Sequence, residues 1–326
     1  MFAPLPSSPV TASLCDPAFG DAVARGLAAP QKWLPASWLY DAVGSALFEV
    51  ITLLPEYGLT RADAALLQAA AHDIVRAAHH PELIVELGSG SGTKTRHILA
   101  AAAHAGGPIQ YRPIDISRSA LRACEASLQD LENVGIESVE STYLEGIDLA
   151  LAGRRVGERA LILFLGSTIG NFTRPEAATF LRRLHQRVMP GDSLLLGADL
   201  VKPHTTLIGA YDDSLGVTAA FNLNILARMN RELGGTFDVK QFAHEARYNE
   251  RQSRIEMHLR SLTAQQVSLE ALNMTVGFTA GETIWTESSH KFRPQEIGRM
   301  GEQAGWSLAH QWIDHEWGFA ETLFSA

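Results

Sequence analysis

The feature that most constrains the fold of this chain is a short apolar run, LIVEL at 83–87, followed at once by the glycine-rich turn GSGSGTKT. An apolar run that ends in glycines is typical of a strand buried on both faces of a sheet. From about residue 60 to 198 such runs alternate with helical segments, which predicts a parallel α/β sheet. The predicted strands are 83–87, 109–115, 138–144, 160–165 and 193–198, and the predicted helices are 60–80, a segment that ends near 103, 117–131 and 175–188.

The chain on either side of this alternation has a different character. Residues 1–60 are rich in proline and aromatic residues, with short helical pieces and no clear strand, and Thr60 is a predicted N-cap with an acid three residues on. From about 202 to 289 the alternation stops, which predicts an insertion that folds with the N-terminal segment. The insertion has a predicted helix at 214–233 and strand-like runs at 254–262, 266–272 and 283–286.

The C-terminal part returns to regular structure. After Pro294 there is one predicted helix, and two strand-like runs follow it at 306–314 and 315–324. Two consecutive strand-like runs with a short connection predict an antiparallel hairpin. A parallel sheet that finishes in such a hairpin is similar to the class I methyltransferase topology.

The turn at 88–95 lacks the glycine that phosphate-binding loops require. A P-loop needs glycine directly before its lysine, because the backbone bends tightly around phosphate there, and this chain has Thr93 before Lys94. A dinucleotide-binding loop, G-x-G-x-x-G, requires glycine at the same position. Enzymes that bind ATP or NAD through this turn are therefore disfavoured.

Two acidic residues favour a cationic ligand instead. Glu86 precedes the turn, where a carboxylate would repel a triphosphate but suits the sulfonium and ammonium groups of S-adenosylmethionine. Glycines at 88, 90 and 92 let the backbone approach a ligand without Cβ collisions. Asp115 ends the next strand, where a carboxylate can accept both hydroxyls of a ribose.

Composition limits the class of protein and its partners. The chain has 326 residues, 46% of them hydrophobic, and a formal net charge of −9, so it would repel nucleic acid. The two cysteines, Cys15 and Cys124, are too few for a disulfide framework. The N-terminus has no basic segment before an apolar run, and no apolar stretch reaches the length of a membrane span. A cytoplasmic protein that binds neither nucleic acid nor membrane is expected.

Five long motifs resemble those of the ergothioneine-pathway histidine Nα-methyltransferases, and the likeness extends from about Lys32 to Phe324. Several are irregular in ways that structure alone would not demand. The motifs are WLYDAVGSALFEVITLLPEYGLTR at 38–61, FLGSTIGNF at 164–172, YDDSLGVTAAFNLNIL at 211–226, IEMHLRS at 255–261 and WTESSHKF at 285–292.

The resemblance implies an activity and an architecture. The family uses S-adenosylmethionine to methylate the α-amine of free L-histidine three times, giving the betaine hercynine. Its α/β fold is a class I, Rossmann-like methyltransferase sheet with a C-terminal antiparallel hairpin and a second, smaller α+β domain. Here we expect a substrate-binding domain from 1–62 with 203–290, a cofactor-binding domain from 63–202 with 291–326, and a monomer.

The resemblance also assigns roles to residues of this chain. The family's Asp-aromatic pair at the adenine has only Thr142-Tyr143 as its counterpart, so the Thr142 hydroxyl or the backbone would replace the acid. The implied cofactor residues are Gly88, Gly90, Lys94, Asp115, Thr142 and Tyr143. The implied histidine-binding residues are Tyr57, Asn171, Tyr211, Glu287 and Ser289, with Tyr40, Phe48, Gly166 and Met257 lining the pocket.

Side-chain chemistry suggests what each of these residues does. The α-amine must lose a proton before each transfer, and the phenol of Tyr40 is the expected catalytic group that passes it toward water. Asn171 and Tyr211 suit the substrate carboxylate, while Glu287 and Ser289 suit the two nitrogens of an imidazole. No set of residues has metal-ligand spacing, and methyl transfer needs no metal.

Other functions remain open at this point. A related enzyme could methylate tryptophan or another amino acid, although a buried Glu287 facing an indole would cost about 1–3 kcal/mol. Met257, which can pack on an imidazole face, also speaks against tryptophan. A non-catalytic binding protein on the same fold would have little reason to keep Tyr40, Tyr57, Asn171 and Glu287 together.

Overall fold

The computed structural model describes residues 16–155 and 157–326, which form two separate sheets and a short hairpin. Short 3₁₀ helices lie at Ala36–Leu39, Thr168–Asn171, Val239–Gln241 and Glu270–Leu272. The α-helices are α1 (Pro17–Ala28), α2 (Ala42–Leu53), α3 (Gly58–Ala77), α4 (Arg96–Gly106), α5 (Arg118–Leu128), α6 (Tyr143–Ala150), α7 (Arg174–His185), α8 (His204–Tyr211), α9 (Val217–Leu233) and α10 (Pro294–Gln303). The strands are β1 (Lys32–Trp33), β2 (Leu83–Leu87), β3 (Ile109–Asp115), β4 (Val134–Ile136), β5 (Val139–Glu140), β6 (Ala160–Phe164), β7 (Ser193–Asp199), β8 (Phe242–Asn249), β9 (Arg254–Ser261), β10 (Gln265–Leu269), β11 (Met274–Phe278), β12 (Thr283–His290), β13 (Ser307–Asp314) and β14 (Phe319–Ser325).

The larger sheet has eight strands in the order β13-β14-β7-β6-β2-β3-β4, with β5 also paired to β3. Strands β2 to β7 pair in parallel, whereas β14 runs antiparallel to both β7 and β13. The predicted class I methyltransferase sheet with its C-terminal antiparallel hairpin is therefore confirmed. Strand order reverses between β2 and β6, so a crevice opens at the carboxyl ends of these strands, where ligands of such sheets bind.

Strand β2 follows the rule that a strand covered on both faces is mostly apolar, with Glu86 as its one polar residue. All five of its residues are buried, and so are the five of β6 and the seven of β7. Helices pack on the two faces over separate apolar clusters that include Phe164 on one side and Tyr111 on the other. The predicted strands at 83–87, 109–115, 160–165 and 193–198 are confirmed to within about one residue.

Two local predictions were wrong, and a third is confirmed except for its first three residues. The predicted strand at 138–144 is a two-residue strand, β5, followed by α6, because Thr142 is the N-cap of a helix that begins at Tyr143. Helix α3 begins at Gly58, so Thr60 is inside the helix and its expected partner Asp63 is fully buried. The helix predicted at 214–233 starts at Val217, with the Asp213 carboxylate accepting from the backbone N–H groups of its first turn.

The smaller sheet has the order β1-β12-β9-β8 and packs on its own apolar cluster. That cluster joins residues before α3, such as Phe19, to residues of the central insertion, such as Phe221 and Ile255. The insertion therefore folds with the N-terminal segment, while the exact domain boundaries stay a prediction. Sequence patterns missed β1, β8 and β11 and made β12 four residues too short, because these strands mix polar with apolar residues.

The expectations about the N-terminal segment and about membrane spans can be compared with the described residues only in part. The N-terminal segment without a basic region begins in residues 1–15, which lie outside them, as does Cys15. In the described part of the chain, no single helix has the length and hydropathy to span a bilayer. One pair, α2 with α3, meets those criteria jointly but bends by 72° at its junction.

Gly92 is the residue of the glycine-rich turn that is least tolerant of a side chain. Its φ is +68°, and a Cβ there would lie 2.6 Å from Cys124 Sγ and 3.2 Å from Leu128 Cδ1 in α5. We expect Gly92→Ala to lower the free energy of unfolding by about 2–4 kcal/mol, from left-handed strain plus overpacking. Gly90→Ala is the matched control, since its φ is +53° with nothing within 4 Å of the added carbon, so only about 1–2 kcal/mol should be lost. Equal losses in urea denaturation would contradict the packing explanation.

Candidate active site

The glycine-rich turn and the end of β3 form the floor of the crevice. Gly88, Gly90 and Gly92 all have positive φ, which turns the chain sharply between β2 and α4. The Asp115 carboxylate accepts from the backbone N–H of Gly90 at 3.3 Å and of Ser117 at 2.8 Å. Burial raises the pKa of Asp115, while these N–H groups act in the opposite direction. An acid held at a strand end beside open glycine backbone suits a ribose, and the cofactor role of Asp115 stays a prediction.

Glu86 does not face the ligand crevice, which corrects the expectation from sequence. Its side chain is 1% exposed, and its oxygens accept from the Thr95 hydroxyl at 2.8 and 2.9 Å and from the hydroxyl of Tyr111. Burial raises the pKa of Glu86 to about 7. Glu86 therefore ties β2 to β3 and to the residue before α4, and so supports the turn from below.

Thr142 and Tyr143 lie at the side of the crevice, where the resemblance places the adenine. The Thr142 hydroxyl donates to Glu145 at 2.9 Å on the protein surface. The Tyr143 hydroxyl lies beside Gly88, 3.4 Å from where a Cβ would be, and burial raises its pKa to about 12. Both residues line a cavity of about 620 Å³ together with Phe172, Phe180 and Arg183. A flat apolar group fits this cavity, and the adenine role of Thr142-Tyr143 stays a prediction.

Lys94, a predicted cofactor residue, belongs to a buried charge cluster that sequence reasoning missed. Its ammonium donates to Asp63 in α3, which also accepts from the backbone N–H of Gly166 at 3.0 Å. Burial works against the Lys94 charge, but the Asp63 carboxylate outweighs it and raises the pKa. Lys94 therefore stays charged and is fixed above the end of β6.

Glu321 in β14 completes this cluster as a neutral acid. It is 0% exposed, and Asp63 Oδ1 and both Glu321 oxygens are buried with no donor in the described residues. Burial raises the pKa of Glu321 well above its usual range, and the neighbouring Asp63 carboxylate, its hydrogen-bond partner, raises it further. A proton on Glu321 that is donated to Asp63 satisfies one oxygen of each carboxyl group. The signal in the sequence is an acid inside the apolar run FAETLF.

The loop after β6 is strained where it borders Lys94. Gly166 and Ser167 both have positive φ, +68° and +58°. The positive φ of Gly166 favours glycine, and a Cβ there would lie 3.0 Å from the Lys94 ammonium nitrogen, which would have to shift slightly. Left-handed backbone at a non-glycine residue such as Ser167 is costly and is common at functional sites. The Ser167 hydroxyl holds the loop by accepting from Asp199 N at 2.9 Å.

Five aromatic rings form a connected cluster, and Glu287 lies close enough to Tyr40, Tyr57 and Tyr211 to raise the pKa of each. Tyr40 lies 5.4 Å from both Phe48 and Phe221, centroid to centroid, and Tyr57 lies 6.0 Å from Tyr211. Phe48 and Tyr57 join the two groups at 6.3 Å. The structure thus brings together four predicted substrate residues and adds Phe221. Burial and then Glu287 raise the pKa of Tyr40 well above its usual range, so its phenol is neutral.

Glu287 and Met257 face each other on neighbouring strands. They are directly paired in the β12–β9 register, beside an irregularity between Trp285 and Glu287. Met257 is 2% exposed, whereas Glu287 is partly buried and its carboxylate makes no hydrogen bond with the described residues. A carboxylate without a donor beside aromatic rings is costly unless a ligand supplies one. Glu287 is therefore placed to receive an N–H from a ligand.

A buried polar network adjoins the aromatic cluster at Tyr211 and was not predicted from sequence. Ser289 Oγ accepts from Tyr211 at 2.7 Å and from Lys291 at 2.9 Å, and Lys291 also donates to Tyr211 at 2.8 Å. Lys291 is 0% exposed and pairs with Asp199 at 2.8 Å. Burial alone would raise the pKa of Asp199, but Lys291 and Lys202 outweigh it and lower the pKa. The sequence signal is a lysine directly after the strand-like WTESSH.

The remaining predicted residue, Asn171, lies at the rim. It ends the short 3₁₀ helix after the Gly166 loop, and its side chain is exposed. His290, which lies near the site in sequence, is buried and bonds to Gly170 O at 3.0 Å through Nδ1. Across residues 16–155 and 157–326, no group of three or more His, Cys, Asp or Glu could hold a metal ion.

The pH dependence of stability provides a test of the unpartnered Glu287. Burial raises its pKa from 4.5 to about 7, so below pH 4.5 the folded state has the full benefit of binding this proton, and the benefit is lost as pH rises toward 7. As pH rises from 5 to 7.5, we expect the free energy of unfolding of Glu287→Gln to increase by about 1–3 kcal/mol relative to that of the unchanged protein. Guanidinium unfolding of both proteins at each pH measures the difference between their free energies of unfolding. The contributions of other titrating groups are the same in both proteins and therefore cancel. A constant difference would show that Glu287 has an ordinary pKa.

Comparisons with known proteins agree with this geometry. A family model described as "Histidine-specific methyltransferase, SAM-dependent" matches residues 19–326. The chain is 44% identical to a histidine N-alpha-methyltransferase of Mycolicibacterium smegmatis and 45% identical to one of Mycobacterium tuberculosis, over 92% of each chain. It is 31% identical to ergothioneine biosynthesis protein 1 of Neurospora crassa, covering 86% of this chain and 32% of that protein. The chain therefore belongs to the family of histidine-specific, S-adenosylmethionine-dependent methyltransferases.

Proposed function

We propose that this enzyme transfers three methyl groups from S-adenosylmethionine to the α-amine of free L-histidine, giving hercynine for ergothioneine biosynthesis. The observation that carries the proposal is the Glu287 carboxylate, which has no donor among the described residues, shares a strand with Ser289 and lies beside Tyr40, Tyr57 and Tyr211. An imidazole supplies the missing donor and packs against Met257. We further propose that the enzyme is monomeric and cytoplasmic.

The amino-acid end of histidine would bind toward the other wall. Tyr57 is 7% exposed and adjoins Tyr211, and Asn171 is at the rim next to the Gly166 loop. Both carry neutral donors that can bind a carboxylate without neutralising the neighbouring charges. The α-amine would then lie near Tyr40, between the aromatic wall and the cofactor crevice.

Proton removal is the main chemical task of the protein. S-adenosylmethionine supplies, when bound, a methyl group on a positively charged sulfur. Burial lowers the pKa of an ammonium, so the aromatic cluster favours the neutral amine that can attack. Because the Tyr40 phenol is neutral, it would act as a relay that accepts one proton while releasing its own to water. Positioning of the amine supplies most of the acceleration.

The aromatic wall also suits the product. Each methylation replaces an N–H, and the third leaves a permanent cation that can donate no hydrogen bond. Tyr40, Phe48 and Phe221 surround this region with ring faces and edges, and such rings stabilise quaternary ammonium groups. One site can therefore hold the un-, mono- and dimethylated forms of histidine in turn.

Mass spectrometry of histidine incubated with enzyme and S-adenosylmethionine tests the proposal. Products with one, two and three added methyl groups are expected, and hercynine should accumulate at long times. Tryptophan and an aliphatic amino acid in parallel reactions test the alternative substrate. Faster conversion of tryptophan, or binding of histidine without turnover, would contradict the proposal.

A further inference from the structure

The hydrogen bonds around Ser289 can be counted completely. A serine hydroxyl has two lone pairs and one hydrogen, and a lysine ammonium has three donors and no acceptor. Lys291 donates to Asp199, Tyr211 and Ser289 at 2.8, 2.8 and 2.9 Å, so all three of its donors are used. Because lysine cannot accept, the direction of each of these bonds is fixed.

This count leaves Ser289 with only one possibility toward a ligand. Its two lone pairs accept from Lys291 and from the Tyr211 hydroxyl, at 2.9 and 2.7 Å. Its own hydrogen has no acceptor among the described residues. The Tyr211 hydrogen is directed at Ser289 in this arrangement, so Tyr211 is not the carboxylate donor expected from sequence. Ser289 has the hydrogen that the network leaves over.

We propose that Lys291 is a positioning residue that makes Ser289 an obligatory hydrogen-bond donor to the substrate ring. Asp199 holds Lys291 in place, and Lys202 with Trp317 holds Asp199 from the other side. Lys291 has no donor left for a substrate, since its three N–H groups bind Asp199, Tyr211 and Ser289. Lys291 thereby influences recognition of the substrate ring without contacting it.

The donor role selects one form of the ring, and this step rests on the proposed histidine substrate. Glu287 and Ser289 are two residues apart in β12, so their side chains point to the same face. One is an acceptor and the other a donor. A neutral imidazole has one N–H and one lone-pair nitrogen, which matches this pair, whereas an imidazolium has two N–H groups and no lone pair. We therefore expect neutral imidazole to be preferred.

A double-mutant cycle tests whether Lys291 acts through Ser289. Ser289→Ala and Lys291→Met should each raise the histidine Kd about tenfold, because one removes the donor and the other frees it to turn toward Tyr211. The double variant should bind no more weakly than either single variant. The Kd of S-adenosylhomocysteine should stay unchanged in all three, which checks the fold. Additive losses, or no loss from Lys291→Met, would overturn the inference.

A second measurement needs only the unchanged protein and Ser289→Ala. Thiazol-4-yl- and thiazol-5-ylalanine place a single lone-pair nitrogen at one or the other imidazole position, and thienylalanine has none. One thiazole isomer should bind about tenfold more tightly than thienylalanine, and Ser289→Ala should abolish that preference. If neither isomer is preferred although histidine is methylated, only the inference on Ser289 and Lys291 fails. If histidine is not methylated at all, the proposed function fails.

Discussion

Glu287→Ala is expected to raise the Kd of histidine by about 10- to 150-fold, which is the effect of losing a buried hydrogen bond to a charged acceptor. The Kd of S-adenosylhomocysteine should change less than about twofold, because Glu287 is in β12 and the cofactor crevice is at the ends of β2 and β3. Isothermal calorimetry with each ligand separately measures both quantities. The same substitution removes the charge that opposes an indole, so the preference for histidine over tryptophan should narrow.

Glu287→Gln is the matched control for this result. The amide keeps the shape and one acceptor but loses the charge, so an intermediate loss of histidine affinity is expected. Histidine binding that is equally tight in the alanine variant and the unchanged protein would refute the imidazole role of Glu287. Parallel loss of S-adenosylhomocysteine binding would show that the substitution disturbs the fold rather than one contact.

Asp63→Ala is expected to have the largest effect on stability, about 3–5 kcal/mol, because it leaves the Lys94 ammonium without its buried partner. The backbone N–H of Gly166 and the shared proton of Glu321 lose their acceptor as well. Cofactor affinity should fall in the same variant, since Lys94 is no longer held above the crevice. Urea unfolding and calorimetry with S-adenosylhomocysteine measure the two effects.

Two further variants separate the causes. Glu321→Gln should be nearly neutral, because the amide can donate to Asp63 as the protonated acid does. Glu140→Ala removes the partner of an exposed pair with Arg118 and should cost at most about 1 kcal/mol. If Glu321→Gln lowered the free energy of unfolding as much as Asp63→Ala does, Glu321 would be ionised and would share no proton with Asp63.

The main sheet could be predicted from sequence because its strands obey a local rule. Runs such as LIVEL and ALILF are buried on both faces, so they are apolar at all positions but Glu86. The smaller sheet follows no such rule. Strand β8 has mixed polarity with one buried residue, and no periodic pattern distinguishes it from a loop.

The candidate site divides in the same way. Gly88, Asp115 and Glu287 could be proposed from sequence, because each belongs to a motif formed by a few consecutive residues. Glu86 was misplaced because the pattern locates an acid at a strand end but not the direction of its side chain. Tyr111 and Thr95, which bind it, come from β3 and from the end of the glycine-rich turn.

The sequence by itself determined the alternation of strands and helices, the glycine-rich turn and the C-terminal hairpin, since each depends on neighbouring residues. Only the tertiary structure decided which charges meet. Asp63 and Gly166 are 103 positions apart, and Tyr211 and Lys291 are 80 apart, yet each pair is within hydrogen-bond distance. A buried charge is tolerated only where a partner arrives from another element, so its role depends on how the elements pack.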